Sequence, residues 1–360
     1  MERFSECFSA LPDPRANNAV HDLTEILFIA LLATLCGAQT CCDIALFAKT
    51  KEALLRTVLV LAHGVPSHDT FSRVFRMLDP KAFEKAFRRF MRAFAETTEG
   101  VVAIDGKALR RAYDSGKSHM PPIMVTAWSA QTRMALANAI AVGSNEAAAA
   151  LQLIDLLTLK GCVVTADALH CHRAMAQAII ERKGDYALAV KGNQSVLLRD
   201  AQAAIAVATR QGAGATVTVD DRHGRHETRV AVVAPAGDMA ERHDFPGLKA
   251  VAQIQSKRGQ DTIVERYFLL SRHYRPQEAI RIIRQHWTIE NELHWPLDVL
   301  LDEDLARSRK DNAPVNLAVL RRLALNIARS HPDTKISLRA KFKRAGWDEA
   351  FLFDMLRHMR

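Results

Sequence analysis

Through the first 95 residues, apolar side chains recur at i, i+3 and i+4, the spacing of helices that bury one face. His21-Asp22 opens an apolar stretch, ILFIALLATLCGA over 26–38, which Gly37 breaks; CCDIALFAKTKEALLRTVL resumes the helical spacing until HGVPSHD makes a turn. Ser67 and Asp69 can cap TFSRVFRML, and Asp79-Pro80 starts a further helix, KAFEKAFRRFMRAF. A short helix, a turn and a basic helix suit a helix-turn-helix reader of DNA. They suit a plain helical bundle equally well, because periodicity does not separate the two.

The period changes at residue 101. VVAI, IMVTAWSA (123–130) and LANAIAV (136–142) read as three strands with short connections, as in an antiparallel meander. An alanine-rich helix is expected over 145–159, then the strand CVVTA (162–166) ending on Asp167, a helix over 172–182, and the strand YALAV (186–190) ending on Lys191-Gly192-Asn193. Strand and helix in alternation imply an α/β fold, a mixed sheet covered by helices on both faces. Strand patterns return in ATVTVDD, HETRVAVVA, KAVAQIQS and TIVERYFLLS, with DDRHGRH as a hairpin between the first two, which suggests a β-rich insertion over 213–273. PQEAIRIIRQHWTIENELHW (276–295) reads as one long helix, and the remainder is helical and basic.

Composition adds direction to this outline. The 360 residues are 49% hydrophobic and 25% charged, which is globular, and the net charge of +9 favours a polyanionic partner. The first hundred residues are balanced, whereas residues 305–360 hold 13 cations against 5 anions, so DNA contact is expected from that tail. Six cysteines without a CxxC pair point to a reducing cytosol and no disulfides. The 26–38 stretch falls short of the roughly 20 residues needed to span a bilayer, so no membrane association is expected.

Asp105 and Asp167 each stand directly after a strand of the same presumptive sheet, where ligands gather in open α/β folds. Either alone could be a cap or turn residue. Together they would repel, and a divalent cation resolves that. On a helical wheel Glu290 shares its stripe with Ile283, His286, Trp287, His294 and Leu297, whereas Glu292 falls on a solvated face. Glu290 is therefore the third candidate, its competing role being a simple pair with His286 or His294. The cluster His170-Cys171-His172 could suggest zinc but lacks a second ligand pair. Trp287 and Trp295 could stack on an unpaired base, although tryptophans at helical spacing are more often core.

The succession LPDPR (11–15), GVPSHDTFSRVF (64–75), AIDGKALR (103–110), VTADALHCHR (164–173), ALAVKGNQ (187–194), HWTIENELHWPLDV (286–299) and NLAVLRRLALNIAR (316–329) resembles the DDE transposases of bacterial insertion sequences, nearest to the H-repeat-associated, ISAs-type branch. The resemblance implies an RNase H-like catalytic core, an associated amino-terminal helical domain and an insertion before the glutamate. Asp105 in IDGK, Asp167 in TADA and Glu290 in WTIEN match the acidic triad, at separations of 62 and 123 residues. Where many related transposases carry tyrosine, arginine and lysine around the glutamate, this chain has Ile283, His286 and Leu297.

Four segments are thus expected: helices over 1–97 for DNA binding or assembly, a core built from 98–212 and 274–330, the 213–273 insertion, and a basic helical tail over 331–360. The resemblance implies hydrolysis at transposon ends and strand transfer into target DNA, with Mg2+ or Mn2+, two ions in all, held by Asp105, Asp167 and Glu290. Lys107, Arg110, Arg111 and Lys191 are expected on the DNA backbone, with Asn193, Arg284, His294 and Arg73 as further contacts. Expected partners are double-stranded DNA and further copies of the chain, at the nucleoid in a bacterial cytoplasm. The alternatives are a catalytically silent DNA-binding derivative and a metal-dependent nuclease that does not join strands.

Overall fold

The computed structural model describes residues 2–96, 98–112, 121–141, 143, 145–222 and 225–358; Val142, the hairpin tip at 223–224 and the last two residues of the tail lie outside them. Six helices come first: α1 (Glu2–Phe8), α2 (Leu23–Leu35), α3 (Cys41–Thr50), α4 (Glu52–Leu55), α5 (His68–Met77) and α6 (Pro80–Glu96). Their starts follow the sequence. Asp22 accepts from Glu25 N at 2.9 Å, Thr40 and Asp43 form a capping box, and Ser67 caps α5. α2 is apolar on nearly every face because it is the buried centre of this group.

Among the described residues nine strands follow: β1 (Gly100–Ala108), β2 (Ile123–Ser129), β3 (Met134–Ala141), β4 (Cys162–Ala166), β5 (Asp185–Val190), β6 (Thr216–Arg222), β7 (Arg225–Pro235), β8 (Ala250–Arg258) and β9 (Val264–Leu270). They form one sheet in the order β3-β2-β1-β4-β5-β9-β8-β7-β6. The first three are antiparallel, and β1, β4 and β5 are parallel, joined through α7 (Glu146–Leu156) and α8 (Arg173–Glu181). This half has the RNase H-like arrangement. The strands expected as an insertion, with the short α10 (Met239–Arg242) between β7 and β8, continue the same sheet, since β9 pairs with both β5 and β8.

Alternation along β1 assigns its two faces. Val102 and Ile104 enter a core with α7, α8 and α9 (Ser195–Arg210), while Val101 and Ala103 face the opposite side. On that side α11 (Pro276–His286) lies across the sheet through Ala279, Ile280, Ile282 and Ile283. Beyond α12 (Trp295–Leu301), helix α13 (Ala313–Ser330) runs into the amino-terminal helices, sharing one core with α2, α5 and α6. α6 therefore packs its Phe83, Phe87 and Met91 face against this core and β3, and leaves Lys81, Lys85 and Arg89 exposed on its other face. α14 (Leu338–Trp347) and α15 (Glu349–Arg357) close the chain. Among the described residues no helix is long and apolar enough to cross a membrane.

Candidate active site

β1 and β4 run parallel as far as the pair Ile104 and Ala166, so Asp105 and Asp167 are the next residue on each strand. β1 does not end there. It continues with β2 to Ala108, which places Asp105 within a strand and corrects the expectation that it is strand-terminal. Odd-numbered side chains of β1 look toward α11, and Thr165 on β4 does likewise, its hydroxyl 3.1 Å from His286 Nδ1.

The helical rod that begins with α11 supplies the third carboxylate through a local irregularity. The rod from Pro276 to Leu301 opens into a wider π turn at Glu290–His294, a device common at functional sites. A uniform wheel sets Glu290 on the apolar stripe, where a carboxylate would be buried; its side chain is instead half exposed, and Trp287 and Trp295, expected as core, are exposed. Just before this turn, Trp128 on β2 donates its indole N–H to Thr288 Oγ1 at 2.9 Å.

Asp105, Glu290 and His294 each offer an atom within 4.8 Å of the others, a grouping able to hold a metal ion. His294 Nδ1 is 3.2 Å from Glu290 Oε2 and 3.7 Å from Asp105 Oδ2. Burial first, then the charges of Glu290 and Asp167, push the Asp105 carboxyl up to about 7. The hydrogen bond from His294 holds Glu290 below its ordinary value. Burial pushes His286 down to about 4, against the pull of Asp167 and Glu290, so its ring is neutral in ordinary buffers. Asp167 is steadied by the Leu169 N–H at 3.0 Å. A cation would relieve this crowding of acids, so the donor set fits a divalent ion.

Two of the expected DNA contacts lie elsewhere. Lys107 has the same strand parity as Asp105, so it points beneath α12 and is buried against Asp298 at 2.8 Å and Asp304 at 3.1 Å. His294, 5% exposed, faces the acids and offers no surface to a phosphate. Asn193 donates to Ala168 O at 2.9 Å and so holds the turn after Asp167, and Arg284 pairs with Asp220 on β6. Arg73, Arg111 and Lys191 are exposed, and Arg110 is exposed beside Asp304. Residue patterns gave no sign of the open groove of about 690 Å3 between α11 and β7–β9, where Arg258, Arg266 and Arg284 surround Trp287. Arg266 stacks on that ring at 5.4 Å.

A family model described as the transposase DDE domain matches residues 96–327, and a model for the domain associated with it matches residues 5–91. The chain belongs to the DDE transposase family. Its relatives place this transposase on the H-repeat branch. It is 30% identical to the proposed H repeat-associated transposase YhhI of Escherichia coli (strain K12), over 99% of this chain and 98% of that protein. It is 32% identical to the proposed transposase YncI of Escherichia coli O157:H7, over 97% and 93%. An uncharacterised protein encoded in the dhlA 3′ region of Xanthobacter autotrophicus is 40% identical over 73% of this chain and 92% of its own length.

Proposed function

We propose that this transposase is catalytically active: it hydrolyses phosphodiester bonds at the ends of its element to free 3′ hydroxyls and directs them at target DNA. One observation carries the reading. Asp105 and Asp167 stand one step past the last paired residues of neighbouring parallel strands, and a glutamate from a π turn meets the first of them, so that burial and the added charge raise the Asp105 carboxyl to about 7. Asp105, Asp167 and Glu290 would hold Mg2+ or Mn2+, two ions in all. When bound, such ions activate a hydroxyl and stabilise the leaving oxygen of an in-line displacement.

The chain's own residues supply position and charge. Asp105 is fixed opposite Thr126 of β2, one step past the last pair with β4, and His294 keeps Glu290 ionised and turned toward it. Asn193 holds the Ala168 turn that fixes the direction of Asp167. Arg110, Arg111 and Lys191, all exposed, would bind the phosphate backbone of double-stranded DNA. The helices of 1–97 and the tail of 331–360 are read as surfaces for end binding and for assembly of two or more copies at the bacterial nucleoid.

The test uses a labelled duplex spanning an end of the element, with Mg2+ or Mn2+, and compares the unaltered protein with Glu290→Ala. Cutting at the end by the unaltered protein alone is expected, followed by joining to a second duplex. Specific binding without cutting assigns a silent DNA-binding derivative, and cutting without joining assigns a nuclease.

A further inference from the structure

A fourth carboxylate lies over the residue that follows Asp105 on β1, on the opposite face of the sheet. Glu146 opens α7, immediately after Asn145, whose side chain caps the helix by accepting from Ala148 N at 3.0 Å. α7 packs through Ala149, Ala150, Leu153 and Ile154 on the face away from α11, toward which the even-numbered residues of β1 point. Gly106 is the next even position after Ile104. The place a Cβ would take there is filled by the Glu146 carboxylate: its Oε2 lies against that point and its Cδ is 3.2 Å away. Gly106 does not have the left-handed backbone that favours glycine, so what it supplies is room.

Glu146 accepts no hydrogen bond and joins no ion pair among the described residues, although it is partly buried. Burial, and then the negative charge of Asp167, hold its carboxyl above the ordinary value. An unpaired acid beside other acids is unfavourable unless a cation joins them. Beside these acids two buried imidazoles are only partly satisfied among the described residues. His170, 1% exposed, sits with Nε2 3.9 Å from Asp167 Oδ1, and its Nδ1 has no partner among the described residues; the same holds for Nε2 of buried His294.

We propose that Glu146 is a fourth anionic ligand of the divalent-metal centre formed with Asp105, Asp167 and Glu290, and that residue 106 is glycine because this glutamate passes over it. The inference rests on the metal centre set out under Proposed function. Four carboxylates match the charge of two divalent ions.

The full chain, stripped of metal, is titrated with Mn2+ and followed by electron paramagnetic resonance, beside Asp105→Asn, Glu146→Gln and Gly106→Ala. Thermal melts in chelator control for folding. Asp105→Asn should lose Mn2+ binding, and Glu146→Gln should weaken it about tenfold or more. Gly106→Ala should act like Glu146→Gln, because it displaces the flexible end of the glutamate without removing it. Loss in Asp105→Asn with unchanged affinity in the other two overturns the fourth ligand and leaves the three-carboxylate centre in place. Affinity that is insensitive to Asp105→Asn overturns that centre, and the proposal with it. If Glu146→Gln melts early, Gly106→Ala decides.

Discussion

A carboxyl that stays protonated to about pH 7 binds its proton more tightly when folded than when unfolded, where its value is near 4. Stability from this linkage is therefore fully present below the unfolded value and is lost as pH rises through about 7, when Asp105 ionises beside Glu290 and Asp167. Asparagine cannot ionise there. In chelator, Asp105→Asn should melt above the unaltered protein at pH 8, and the gap should shrink by pH 5; a constant gap would rule out this account. Added Mg2+ should raise the melting point of the unaltered protein alone. Lys107 is governed by a different balance. Its replacement by alanine leaves Asp298 and Asp304 without their buried cation, a loss of about 3 kcal/mol read by urea denaturation, while the salt dependence of DNA binding stays unchanged. Asp105, Asp167 and Glu290 stand out in the residues because short acidic motifs are local signals, whereas the run of β1 past Asp105 is not, since it depends on pairing with β2. Lys107 was misread as a DNA contact because its two acids lie nearly two hundred positions away, and nothing local marks the side chain as buried.

Among the elements, the rod from Pro276 to Leu301 was readable as a helix, yet its wheel was not, because a uniform 100° step cannot contain a π turn. That is why Trp287 emerges at the surface and Glu290 is half open to solvent. Deleting Asn291, an exposed residue of the turn, should restore an ordinary helix and change the angle between Glu290 and His294. The expected result is unchanged helicity by circular dichroism with Mn2+ binding and cleavage both lost. Retained cleavage would show that the wide turn is incidental. The strands between 213 and 273 were legible as strands, but their partner was not, since pairing of β9 with β5 depends on which edge is free in the folded sheet.

At the scale of the molecule, net charge proved a partial guide. Several cations behind the basic tail are internal: Arg322 pairs with Glu303 at 2.8 Å with both side chains almost fully buried, and Lys341 donates to Ala328 O and His331 O. Arg322→Met should destabilise the fold by about 3–5 kcal/mol, because Glu303 is left buried and alone, and a urea midpoint measures it. The position of α13 carries one more consequence, in the order of synthesis. The helices made first are completed by Leu317, Leu320, Leu323 and Ala324, which emerge from the ribosome some two hundred residues after α6, and Glu290 emerges just before them. The proposed metal centre and the amino-terminal helices therefore mature at nearly the same moment, so that, on the function proposed, a growing chain would have no interval in which to nick DNA before its amino-terminal helices are packed.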